Sequence, residues 1–138
     1  MLFRAYCATC VGLEVIPVVV EVSVQPGVGI FLVGLPDSAV KESLLRVTTA
    51  LQSCGYRVPG RKVVINLAPA NIRKEGSGYD VAIALGLLAA SGQISPPDIQ
   101  DFLIMGELAL DGSLRGVHGV LPVAVRGADR GVRRCIFA

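Results

Sequence analysis

Asn71-Ile72-Arg73-Lys74-Glu75-Gly76-Ser77-Gly78-Tyr79-Asp80 empties directly into Val81-Ala82-Ile83-Ala84-Leu85-Gly86-Leu87-Leu88-Ala89-Ala90. Alanine and leucine favour helix over strand, and a helix that is apolar around its whole circumference is packed on most sides. The spacing therefore predicts a buried helix over 79–91, ended by Gly92 and entered through a polar, glycine-bearing loop. A hydroxyl, an amine, carboxylates and two glycines stand at the mouth of a buried element. A nucleophile or an anion site is expected in such a place. The plainer expectation is that Ser77 or Asp80 caps the helix and satisfies its free amides.

Working outward, residues 2–11 read as a strand, and 14–25 as a long strand with Ile16, Val18, Val20, Val22 and Val24 on one buried face. A short apolar strand over 30–33 leads through Gly34-Leu35-Pro36 into a helix over 38–54. Its apolar stripe is Val40, Leu44, Val47 and Leu51, with Asp37 or Ser38 at its start and Gly55 closing it. Lys41, Arg46, Thr49 and Gln52 are expected on its wet side. Strands follow over 61–67 and 102–110. Asp111-Gly112 marks a hairpin turn, a third helix covers 121–130, and a last strand covers 132–137. The result is one α/β domain over residues 1–138, a mixed sheet with packed helices.

At 138 residues a single domain can bury about 68% of the unfolded chain's surface. Charged residues make up 17%, against roughly 25% in ordinary soluble domains, so part of the apolar excess is expected to meet something outside this chain. The longest apolar run, ten residues from Val81, is half of what a bilayer crossing needs. Nothing near Met1 reads as a signal peptide, and a cytoplasmic location is the expectation. The Cys7-x-x-Cys10 pair lies in a strand, where an odd separation points the thiols to opposite faces; neither zinc nor redox chemistry is expected.

No GxxxxGK[ST] loop and no GxGxxG spacing occurs, so the chain carries no nucleotide cofactor of its own. For hydrolysis, Ser77 with Lys74, or with the single histidine His118, are the candidates. Glu107 stands in an apolar strand and is expected to meet Arg73, Lys74 or Arg115. Basic residues at Arg57, Arg61, Lys62, Arg73 and Lys74 flank one strand and could form a patch. Five arginines from Arg115 onward face only Asp129.

Four segments, Val33–Ser43, Asn66–Gly76, Tyr79–Leu85 and Gly106–Gly112, together resemble the N-terminal domain of the ComM/YifB proteins, magnesium-chelatase-like AAA+ ATPases connected with bacterial competence. The resemblance implies a ribosomal-protein-S5-domain-2-like fold, as in the Lon protease catalytic domain. It also implies a separate C-terminal AAA+ module that binds ATP and magnesium, a homo-hexamer, and action on DNA through the assembled protein. Alignment with Lon places its nucleophile motif Asp-Gly-Pro-Ser-Ala-Gly on Glu75–Asp80, so glycine, Gly78, occupies the serine's place. The Lon lysine falls on Val123. Both members of the dyad are absent, which implies a non-catalytic accessory domain; Arg73, Lys74, Glu75, Glu107 and Arg115 are then the expected interaction surface.

Overall fold

The computed structural model describes residues 1–12, 14–129 and 134–137. Strands β1 (Leu2–Val11), β2 (Glu14–Gln25) and β3 (Ile30–Val33) precede helix α1 (Ser38–Ser53). Strand β4 (Lys62–Ala68), helix α2 (Asp80–Ala90) and a 3-10 turn (Ile99–Asp101) follow. Then come β5 (Phe102–Met105), β6 (Glu107–Leu108), β7 (Leu114–Arg115), α3 (Val120–Asp129) and β8 (Arg134–Phe137). Six strands form a mixed sheet in the order β3-β4-β2-β1-β5-β8, and β6 and β7 form a separate hairpin. The end expected for α3 at Arg130 and the strand start at Val132 lie outside the described residues.

Alternation decides the sheet's faces. Val18, Val20, Val22 and Val24 are fully or almost fully buried and stand beside Ala5, Cys7, Val63, Ile65 and Leu67 on the face that α2 covers. On the opposite face the direct cross-strand neighbours Arg4, Glu21 and Asn66 form a polar ladder. Arg4 Nε donates to Glu21 at 2.9 Å and Asn66 Nδ2 donates to its other oxygen at 3.0 Å. Helix α3 reaches β1 and β2, where Val123 is buried beside Tyr6, Ala8, Val15 and Pro17 around a cavity of about 200 Å³.

Helix α1 begins where Asp37 Oδ1 accepts from the Val40 amide at 2.7 Å. It ends at left-handed Gly55, with Tyr56 N donating to Leu51 O and Gly55 N to Gln52 O, the double bond of a Schellman motif. The expected long strand over 102–110 is two short ones. Gly106 leaves the sheet because its amide donates to Gly78 O while its carbonyl accepts from Val81 N, so its backbone serves the entrance of α2 instead. Apolar residues stand on both sides of Gly106-Glu107, at 103–105 before and 108–110 after, so hydropathy reads the whole stretch as one strand.

Helix α2 presses close to the sheet at Gly86, where an added Cβ would stand 2.7 Å from Val22 Cγ2. Valine is stiff at χ1 and cannot move that methyl without leaving its rotamer. Gly86→Ala gains helix propensity of about 1 kcal/mol but forces the two layers apart. The expected net result is a loss of about 1–2 kcal/mol, read as a lower urea midpoint with unchanged m-value.

Candidate functional site

The loop of residues 71–79 is anchored before it reaches α2. Lys74 N donates to Leu35 O at 2.9 Å and Asp37 N to Lys74 O at 3.0 Å, which stitches the entrance of α1 to this loop. The Lys74 side chain is wholly buried and its Nζ donates to the Pro69 carbonyl; burial lowers its pKa. Two expectations are thereby corrected. Lys74 is neither a surface contact nor a base for Ser77, because its ammonium is spent closing its own loop.

The start of α2 also differs from the expected cap. Tyr79 is the N-cap residue and gives no side-chain cap. Ser77 contributes its carbonyl, which accepts from Asp80 N at 3.3 Å, while its hydroxyl donates to Glu107 Oε2 at 3.2 Å. The wholly buried Asp80 carboxylate turns away from its own helix into a network with α1 and β6. Ser43 Oγ donates to Oδ1, Arg46 donates through Nε at 2.8 Å to Oδ2 and through Nη2 at 3.0 Å to Oδ1, and Leu108 N donates to Oδ2 at 3.1 Å. Arg46, expected on the wet side of α1, leaves only 19% of its side chain exposed, and the hydrogen bond to Asp80 raises its pKa further. A lone carboxylate in an all-apolar helix was the signal for this pair, since a buried charge requires a partner.

A cleft of about 660 Å³ opens beside this entrance, lined by Thr9, Asp37, Glu75, Ser77, Glu107 and His118 among others. It therefore brings Ser77, Gly78, Glu75, Glu107 and His118 together, and it leaves out Lys74, Arg73, Arg115 and Val123. Arg115 stands opposite Glu107 in the β6–β7 register, yet among the described residues Glu107 forms no ion pair with Arg73, Lys74 or Arg115. No lysine or arginine lines the cleft, and three carboxylates do. Two of the first amides of α2 are engaged, Asp80 N by Ser77 O and Val81 N by Gly106 O. With two helix-start amides taken and three carboxylates in the lining, the cleft does not attract phosphate.

Tyr79 is almost wholly buried behind the cleft, and burial pushes its phenol above the ordinary range. Among the described residues its buried hydroxyl has no hydrogen-bond partner. Cys7 is buried with its thiol pushed up to about 12 by burial, while Cys10 is exposed, as expected of opposite strand faces. Among the described residues no cluster of three or more His, Cys, Asp or Glu could hold a metal ion, and no helix is long and apolar enough to cross a membrane.

The family model described as subunit ChlI of Mg-chelatase matches residues 20–138. This chain belongs to the Mg-chelatase ChlI family. Within it, the chain is 44% identical over 128 residues to YifB of Escherichia coli, covering 92% of this chain and 25% of that protein. It is 42% identical over 134 residues to the competence protein ComM of Haemophilus influenzae, covering 96% of this chain and 26% of that protein. YifB of Salmonella typhimurium is 44% identical over 128 residues, covering 92% of this chain and 25% of that protein. This ChlI-family chain spans about a quarter of the length of these relatives. The four segments that carry the resemblance to ComM and YifB meet in space: Lys74 stitches the first two, and Asp80 ties α1 to α2 and β6.

Two outcomes follow for the ChlI-family fold. Asp80→Asn keeps the shape but removes the charge that holds Arg46, and losing one partner of a buried pair costs about 3 kcal/mol or more; chemical denaturation should record a loss of that order. Gly78 is not left-handed, and an added Cβ would meet Met105 and Val117 at an ordinary 3.9 Å. Gly78→Ala should therefore melt within about 2 °C of the parent, since substitutions away from strained or packed features shift stability by only ~0.5 kcal/mol.

Proposed function

We propose that this chain is a non-catalytic accessory domain of a magnesium-chelatase-like AAA+ ATPase that processes DNA, where it helps subunits assemble or positions DNA and partner proteins. One combination carries the reading: Gly78, which the Lon alignment puts in the nucleophile's place, lines the cleft at the start of α2, and the first two amides of that helix, Asp80 N and Val81 N, are bonded to carbonyls. In this reading ATP and magnesium belong to the AAA+ module outside these residues, the full-length protein works as a homo-hexamer in the cytoplasm, and the S5-domain-2-like relation to Lon is one of scaffold only. Relatedness to the competence protein ComM supports a role in handling DNA.

A hydrolase reading draws on one fact, that Ser77 and His118 line the same cleft. Against it, the Ser77 hydroxyl is held by Glu107, and Lys74, the other candidate base, is buried elsewhere. The test uses the full-length protein. A fluorophosphonate probe should leave Ser77 unlabelled, and Ser77→Ala and His118→Ala should keep wild-type DNA-stimulated ATP turnover. Deleting residues 1–138 should reduce hexamer formation or DNA stimulation by severalfold. Labelling of Ser77, or a deletion with undiminished assembly and DNA response, would overturn the reading.

A further inference from the structure

A second groove, of about 370 Å³, lies at the other end of α2 and has the opposite charge. Arg57, Arg61, Gly60, Ser91, Gly92 and Gln93 line it together with apolar residues, and no carboxylate does. Both arginines are exposed, and among the described residues neither guanidinium has a hydrogen-bond or ion-pair partner in the protein. Unlike Arg4 and Arg46, which are spent on Glu21 and Asp80, they face solvent with all donors free.

The loop that carries them is nonetheless fixed. Gln93 binds the Arg57 backbone on both sides, Arg57 N donating to Oε1 at 2.9 Å and Nε2 donating to Arg57 O at 2.7 Å. Tyr56 N is held by Leu51 O, Pro59 restrains the middle, and Arg61 immediately precedes β4. The Arg57 backbone is thus set in advance and Arg61 is placed by the start of β4, which reduces the ordering cost of binding. Between them Gly60 has neither a left-handed φ nor a neighbour that a Cβ would touch within 4 Å. Packing does not demand a glycine there, and its bareness keeps the groove open to the close approach of another backbone.

We infer that the Arg57–Gly60–Arg61 groove is a contact for the phosphodiester backbone of DNA. Guanidinium forks match phosphate oxygens two at a time, and such contacts position a nucleic acid without reading its sequence. The remainder of the basic patch suggested by the sequence does not share this place: Lys62 lies over the Phe31 ring at 5.7 Å, Lys74 is buried, and the exposed Arg73 does not line the groove. The acidic cleft at the far end of α2 repels the same ligand, so the two grooves sort phosphate to one side.

The inference rests on the proposed role in DNA handling, and the experiment separates the two. Full-length wild-type protein and the Arg57→Gln/Arg61→Gln double variant are titrated against labelled single-stranded and four-way-junction DNA over a salt series. The variant should bind ~10-fold or more weakly, with its salt slope reduced by roughly 1.4 for single strands and 1.8 for duplex arms if both phosphate contacts are lost. Its melting temperature should not change, since both side chains are exposed and unpaired. Gly60→Glu should weaken binding similarly, and Arg115→Gln should not. Wild-type binding retained in the double variant with an unchanged slope overturns this inference and leaves the proposed function standing. Failure of the wild-type protein to bind any DNA overturns the proposed DNA-handling role and the inference with it. Competition by millimolar pyrophosphate that the double variant escapes, without any effect of that variant on DNA affinity, assigns the groove to small phosphates and overturns DNA as its occupant.

Discussion

A buried carboxylate in an otherwise apolar helix is the constraint on which the architecture depends. Asp80 has no access to water, and an ionised carboxylate survives there only when its lone pairs are filled. Ser43, Arg46 and the Leu108 amide fill them, and each comes from a different part of the chain from Asp80 itself. Hydrophobic burial alone would let α2 slide or rotate, because its circumference is nearly uniform in hydropathy. The carboxylate removes that freedom: one rotation and one height of α2 satisfy all its donors, and that setting fixes α1 and the β6–β7 hairpin as well. Buried ion pairs are weak contributors to net stability, and the specificity of packing is the better account of this one.

The sheet was readable because its signal is periodic. Val18 through Val24 alternate without interruption, with Ile16 only half-buried, and of the expected helix stripe Val40, Val47 and Leu51 are buried while Leu44 is half-buried. The cap was legible as a choice between Asp37 and Ser38, since a side-chain acceptor next to a helix start acts locally, and Asp37 makes the bond. Arg46 was not. Its position on α1 lies off the apolar stripe, and only the tertiary arrangement brings Asp80 to it from 34 residues away. Lys74 misled for a related reason. Its charge suggested solvent, whereas its Nζ finds a carbonyl five residues back inside the same loop. At the candidate site, the loss of the Lon serine could be read from alignment alone; the engagement of the neighbouring amides by Ser77 O and Gly106 O required the path of the backbone.

The two grooves give the domain an electrostatic direction. Helix α2, 11 residues and roughly 16 Å long, runs between them. At its entrance Asp37, Glu75 and Glu107 face an open cleft, and beyond its end Arg57 and Arg61 do. A net charge of +2 conceals this division, because opposite charges cancel in the sum while remaining far apart on the molecule. A scaffold of this kind can hold a polyanion at one end while the other end stays free of it.

The Asp80 network also bears on the order in which the chain assembles. Its members lie 37 residues before and 28 residues after the carboxylate, so several long loops must close before the network can form. Until Arg46 and the Leu108 amide arrive, Asp80 is better hydrated than buried, and partly folded states gain nothing from it. Its contribution therefore belongs to the final docking of α1 and β6 onto α2. A network completed only in that last step is expected to act as a latch on the finished domain, so that weakening it would show in the unfolding rate more than in the folding rate.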